Sequence, residues 1–243
     1  MKKLVLILLL TLLLLSCRYS SQVPKADLVV CITFDDHCLS VYENALPILD
    51  QYGFRATVFA NTGRIGRPNK MTWTMLDSLK HQFNWEIGGH TLNHEMLSQL
   101  TYEQAEYTIS TDFNNLAARG YNPKSFATTF GYCPVEFYDL INRYYRNIRT
   151  CFNSAMYRPI ERTLVGSFNV TNEMTSRQII DRVAQAMIEK ENLVVYLFHE
   201  IDTQNLDYNN NCHPQVFAEA MARLHRMGVK VLPLDEALNY LSD

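Results

Sequence analysis

Leu28-Val29-Val30-Cys31-Ile32-Thr33-Phe34-Asp35-Asp36 (residues 28–36) carries a run of apolar and β-branched residues straight into two adjacent carboxylates. An apolar run of this length without polar alternation reads as a strand buried on both faces, as in a parallel sheet. Helical spacing follows. Val41, Ala45, Leu46, Leu49 and Tyr52 fall on one face. Ser40 with Glu43 reads as a capping box, Pro47 should kink the helix, and Gly53 ends it. A second apolar run, residues 56–60, comes at once.

The alternation continues to the end of the chain. Thr72 is expected to cap a helix to about Lys80, and residues 85–89 form a strand ending at His90. Thr101 with Gln104 makes a capping box for a helix over residues 102–118, stopped by Gly120. Further strands are expected over residues 125–130, 147–152, 163–168, 193–198 and 229–232. Helices are expected over residues 135–145 and 176–190, from Pro214 to Gly228, and from Leu234. At least seven strands alternating with helices imply an α/β fold with a parallel sheet and right-handed crossovers, an irregular (β/α)7-type barrel. No internal repeat, low-complexity tract or linker divides the body.

The N-terminus differs in kind. Met1-Lys2-Lys3 precedes residues 4–15, apolar except for Thr11, and then Ser16-Cys17. A charged start and short apolar core read as a secretory signal over residues 1–16. The run is shorter than the ~20 residues a spanning helix needs. Leu14-Leu15-Ser16-Cys17 resembles a bacterial lipobox. That resemblance implies lipid attachment to Cys17 and an exported, membrane-anchored lipoprotein, periplasmic or on the cell surface. Residues 17–26 then form a tether, and residues 27–243 one catalytic domain.

Composition narrows the function. A hydrophobic fraction of 47% and a charged fraction of 19% suit one globular domain with a full core. Net charge −3 without a basic run excludes a nucleic-acid binder and favours a neutral or cationic substrate. Cys31, Cys38, Cys133, Cys151 and Cys212 form no CxxC pair, which argues against a zinc–thiolate cluster. Cys31 and Cys151 read as core residues, and any disulfide pairing stays open.

Asp35-Asp36, His90 and His199 all sit just past the C-terminal ends of expected strands, the rim where such barrels gather catalytic groups. In His90-Thr91-Leu92-Asn93-His94, two histidines four apart share one side of a helical turn and can share one metal ion. Gly88-Gly89 before them permits close backbone approach. Adjacent carboxylates point in different directions, so one could bind the metal while the other faces the reacting centre. A solvated strand end with a capping aspartate is the plainer alternative. His199 reads either as a general acid or base or as a satisfied core histidine.

Taken together, Thr33-Phe34-Asp35-Asp36, His90-Thr91-Leu92-Asn93-His94 and Leu197-Phe198-His199 resemble the polysaccharide deacetylase family (NodB-type, carbohydrate esterase family 4). Tyr42 to Pro47 (YENALP), Ala56-Thr57-Val58-Phe59 and residues 227–234 extend the resemblance over nearly the whole mature chain. The resemblance implies that Asp36, His90 and His94 bind a divalent metal, usually Zn2+, and that Asp35 is the general base. It implies a backbone N–H near Phe130 and Gly131 on the oxyanion, and His199 as the acid on the leaving group. The implied substrate is an acetylated polysaccharide, most often with N-acetylglucosamine-type units, and the product is acetate.

Three departures stand out. In Phe126-Ala127-Thr128-Thr129-Phe130-Gly131 the family's Arg and Pro are replaced by Ala127 and Thr129, so Asp35 lacks its usual cationic partner unless Arg149, Arg158 or Arg162 reaches it. The family's fourth motif has no counterpart between Arg149 and Ser167, which leaves His199 without an assigned partner. His37 stands where Gly commonly follows the two aspartates. It reads as a packed turn residue, or else as an extra ligand or substrate contact. These departures motivate one alternative function, a catalytically impaired glycan-binding lipoprotein on the same fold.

Overall fold

The computed structural model describes residues 28–203 and 210–242. The expected signal, Cys17 and tether lie outside them. Among the described residues the strands are β1 (Val29–Phe34), β2 (Thr57–Ala60), β3 (Glu86–Gly89), β4 (Ser125–Ala127), β5 (Asn147–Arg149), β6 (Phe168–Asn169), β7 (Leu193–Phe198), β8 (Glu200–Ile201), β9 (Asn211–Cys212) and β10 (Lys230–Val231). The helices are α1 (Leu46–Gln51), α2 (Trp73–His81), α3 (Tyr102–Ala118), α4 (Tyr138–Asn142), α5 (Ser176–Glu189), α6 (Pro214–Met227) and α7 (Leu234–Ser242).

β1 is buried along its whole length, as an apolar run without alternation requires. It pairs with all of β7, from Val29 opposite Leu193 to Phe34 opposite Phe198. On its other edge β10 flanks its start and β2 its end. The sheet runs β5-β4-β3-β2-β1-β7-β6, and its strand pairs are parallel. It curls until Val165 bridges Arg149 of β5, three residues before β6 meets β7. This is the irregular barrel that strand–helix alternation predicts.

The two faces of β1 feed different cores. Val30, Ile32 and Phe34 pack with Val58, Val194 and Leu49 between sheet and helices, where Phe34 stacks on Trp85 at 5.8 Å. Val29 and Cys31 turn inward with Phe59, Ala127, Val165 and Leu238 of α7. Burying each large side chain stabilises the fold by roughly 1.5–3 kcal/mol. Asp35 continues the inward series and so lands in the mouth of the barrel.

Helix ends match the expected caps except at Ser40. The Thr101–Gln104 capping box is present, and Thr72 caps α2. The Thr175–Gln178 box opening α5 was legible in the sequence and not read from it. Ser40 is not a capping residue: it is already helical, and its hydroxyl accepts from the Ile201 N–H at 3.1 Å. Pro47 produces no break, because it sits in the first turn of α1 behind a π turn at Val41–Ala45.

The expected strands over residues 125–130 and 147–152 shorten to β4 and β5, because Phe130 takes φ 55° in a tight turn. Residues 135–145 form a 3-10 turn followed by α4 rather than one helix. Residues 163–168 yield a single bridge at Val165 before β6. The five cysteines from Cys31 to Cys212 are free thiols.

Candidate metal centre and catalytic cavity

The C-terminal ends of β1, β3, β4 and β7 open on a cavity of about 660 Å³. Asp35 extends the ladder by one bond, its N–H donating to the Phe198 carbonyl at 2.9 Å. The chain then turns at Asp36 (φ 66°) and His37 (φ 41°). A glycine adopts such angles without steric penalty, which explains why His37 is unusual there. His37 is fully buried and accepts the Asn61 N–H on Nδ1 at 3.3 Å. Burial, with Lys70 nearby, pushes its imidazole down to about 3. It packs under the turn and is not among the residues lining the cavity.

His90 and His94 meet, although not on a helical turn as their spacing suggested. Residues 90–94 form a loop in which Thr91 (φ 61°) and His94 (φ 64°) are left-handed. Strain of this kind persists only where surroundings over-determine it. The Asn61 amide donates to the His90 and Thr91 carbonyls, Thr108 Oγ1 accepts the Leu92 N–H at 2.9 Å, and Thr91 Oγ1 accepts the Glu95 N–H at 3.0 Å. The two imidazole centroids end 5.0 Å apart.

Their Nε2 atoms converge on one oxygen. Asp36 Oδ1 lies 3.4 Å from His94 Nε2 and 3.8 Å from His90 Nε2. His90 Nδ1 is 2.8 Å from the Ala127 carbonyl. A carbonyl only accepts, so Nδ1 carries the proton and Nε2 presents its lone pair to the centre. Burial, opposed by Asp35 and Asp36, holds the His90 imidazole down at about 4, so it is neutral at pH 7. Burial alone would raise the Asp36 carboxyl, yet His90, His94 and Lys70 together hold it well below the ordinary carboxylate range.

Asp36 Oδ1 is buried and has no hydrogen-bond donor among the described residues. The three donor atoms lie within 4.8 Å of one another. Two imidazoles and a carboxylate, with one oxygen left unsatisfied, fit a divalent cation and leave positions open for water and substrate.

Asp35 is 2% exposed and has a cationic partner after all. The guanidinium of Arg149, fully buried at the end of β5, donates to both its carboxylate oxygens. Of the three arginines that could have replaced the missing one, Arg149 is the one the barrel delivers. It also lies over the Phe59 ring at 5.3 Å and donates to Cys151 Sγ at 3.3 Å. Cys151, expected in the core, is half-buried on the cavity wall, and burial pushes its thiol up.

Phe130 and Gly131 line the cavity, with the Phe130 ring 4.5 Å from that of His94. His199 lines it from the end of β7, and its buried Nδ1 has no hydrogen-bond partner among the described residues. Asp112 of α3, a residue that motif reading passes over, accepts the Thr62 N–H at 2.9 Å and the His90 N–H at 3.1 Å. Its signal was present: a carboxylate on the apolar face carrying Ala105, Ile109 and Leu116.

This geometry agrees with what the chain is similar to. The family model for polysaccharide deacetylase matches residues 22–148, just over half of the chain, and the protein belongs to that family. The poly-beta-1,6-N-acetyl-D-glucosamine N-deacetylase of Staphylococcus aureus (strain MRSA252) is 35% identical over 106 residues, covering 40% of this chain and 36% of that enzyme. The chain thus spans about a third of the length of the curated relatives it matches. Among solved structures, the Xyl-CE4 domain of a multidomain xylanase from the hindgut metagenome of Trinervitermes trinervoides superposes with TM-score 0.62 at 16% identity, covering 87% of this chain and 89% of that one. A family 4 acetyl xylan esterase from Clostridium thermocellum, solved with a cobalt ion, superposes with TM-score 0.59 at 16% identity, covering 87% and 90%. Both likenesses bear on the fold.

Proposed function

We propose that the protein is a metal-dependent hydrolase that removes acetyl groups from a polysaccharide, N-acetyl groups of N-acetylglucosamine-type units first, and releases acetate. The observation that carries this reading is the convergence of His90 Nε2, His94 Nε2 and Asp36 Oδ1 beside the Arg149-paired Asp35. Asp36, His90 and His94 would hold the ion, zinc in this reading. Such an ion polarises an acyl oxygen and lowers the pKa of bound water from 15.7 to about 7.

The chain's own groups do the rest. Asp35 Oδ2 lies 3.8 Å from His90 Nε2, beside the residues that would hold the ion, and would accept the proton of the attacking water. Arg149 orients that carboxylate with both oxygens engaged. The backbone at Phe130 and Gly131 donates to the developing oxyanion. His199 protonates the departing nitrogen. The presence of a cationic partner on Asp35 favours an enzyme over an impaired glycan-binding module.

The chain is further proposed to be exported and held to a membrane by lipid on Cys17, on the strength of Leu14-Leu15-Ser16-Cys17. No helix of the described residues is long and apolar enough to cross a membrane.

Acetate release from a panel of N- and O-acetylated glycans tests the activity. Release by zinc-loaded protein that stops on chelation is the expected result. No release by folded, metal-loaded protein from any glycan would leave the binding module as the better reading. Labelled fatty acid should enter the wild type and not Cys17→Ser.

A further inference from the structure

Two cations line the catalytic cavity from the loop after β2, and no step of the proposed reaction uses them. Arg64 and Lys70 both face the cavity and are both half-buried. Neither forms an ion pair within 4.0 Å with a carboxylate among the described residues. Among the described residues, Lys70 Nζ donates one side-chain bond, to Cys38 Sγ at 3.5 Å.

Both positions are rigidly held. The turn carrying Arg64 docks on the metal-ligand loop: Gly63 N–H donates to the Leu92 carbonyl at 2.8 Å, and Thr62 N–H to Asp112. A Cβ on Gly63 would stand 2.9 Å from the Leu92 carbonyl oxygen, so the approach favours glycine. Lys70 is clamped by an antiparallel bridge to Cys38, with Leu39 N–H donating to the Asn69 carbonyl and Met71 N–H to the His37 carbonyl.

The fixed charges of the wall cancel before an ion is counted. Arg149 offsets Asp35, which leaves Asp36 and Glu200 against Arg64 and Lys70. A divalent ion on Asp36 would then make the cavity electropositive. Cations on a fixed backbone, without an ion-pair partner among the described residues and in a partly desolvated cleft, attract an anionic group. We propose that Arg64 and Lys70 form a subsite for an anionic substituent, carboxylate or phosphate, on the glycan next to the acetylated nitrogen. The expectation of a neutral or cationic substrate, drawn from the net charge of −3, is thereby reversed at the site itself. This inference rests on the deacetylase reading and narrows its substrate class.

The test is calorimetric titration of the full chain, metal-free and zinc-loaded, with three N-acetylglucosamine tetramers: unsubstituted, 3-O-lactyl on alternate units, and 6-O-phosphorylated. At least one anionic tetramer should bind about tenfold more tightly than the neutral one, and the advantage should shrink with added salt. The preference should fall to about twofold or less in Arg64→Gln/Lys70→Gln and survive in Lys70→Arg, with melting temperatures checked for each. A preference for carboxylate, phosphate or both supports the subsite and names the substituent. Equal binding of all three by wild type, or an undiminished preference in the folded double variant, overturns it. Acetate release on the same samples separates the two readings. Release without anion preference removes the subsite alone. Anion preference without release from any tetramer leaves the subsite as a binding feature and moves the reading of the site toward the glycan-binding module.

Discussion

The guanidinium of Arg149, at the end of β5, donates to both carboxylate oxygens of Asp35, at the end of β1. The two residues are 114 positions apart in sequence and both buried. In the family pattern the equivalent arginine belongs to β4, where this chain has Ala127. Here a neighbouring strand, β5, supplies the cation that pairs with Asp35. Removing one member of such a pair strands the other charge, at a cost of about 3–5 kcal/mol. Arg149→Ala is therefore expected to lose most of its turnover and several degrees of melting temperature. Arg149→Lys should rescue little, because an ammonium gives up the second nitrogen's bond to Cys151 Sγ and the planar contact over the Phe59 ring that hold the first nitrogen against both Asp35 oxygens. Adding Ala127→Arg to Arg149→Ala should restore part of the acetate-release rate, measured against Arg149→Ala alone.

Metal binding should stabilise the fold measurably. At zinc 100-fold above its dissociation constant, linkage adds about 2.7 kcal/mol to unfolding free energy. Differential scanning fluorimetry with and without zinc should show that rise in wild type. Asp36→Ala and His94→Ala should melt at the same temperature in both conditions.

Asp112 should act through His90. It accepts the His90 N–H and ties the ligand loop to the Thr62 turn. Asp112→Asn places an amide N–H₂ or a weaker acceptor against those donors. Zinc affinity, read by chelator competition, should fall about 10- to 100-fold with the fold retained. Unchanged affinity would make Asp112 a purely structural residue.

The buried His37 makes a signed pH prediction. Its folded value of about 3 lies below its ordinary 6.5. Its contribution to stability is thus fully present above pH 6.5 and is lost as pH falls toward 3. Denaturant titrations of metal-free wild type and His37→Gln at pH 7 and pH 5 isolate the effect. The stability advantage of wild type should narrow on acidification. A gap that holds or widens contradicts the assignment.

Much of this was legible in residues 28–36 and the runs that repeat them, because a buried parallel strand leaves an apolar run that little else produces. The candidate ligands Asp36 and His90 were legible because they follow strand ends. Their geometry was not: the His90–His94 spacing suggested a helical turn, whereas left-handed Thr91 and His94, held by Asn61 and Thr108, bring the rings together. Arg149 could be named only as one of three candidates, since barrel curvature decides which strand end reaches Asp35. Short strands such as β4 and β6 were overextended because local propensity does not register where a turn like Phe130 breaks the ladder.

The central claim is that Asp35 moves a proton at a metal centre it does not itself hold. Zinc-loaded Asp35→Asn, assayed for bound metal and for acetate released from an acetylated glycan that wild type cleaves, tests it most directly. The account predicts that metal content stays at the wild-type level while release falls by about 10²- to 10⁴-fold. Wild-type release by Asp35→Asn with its metal in place would contradict it.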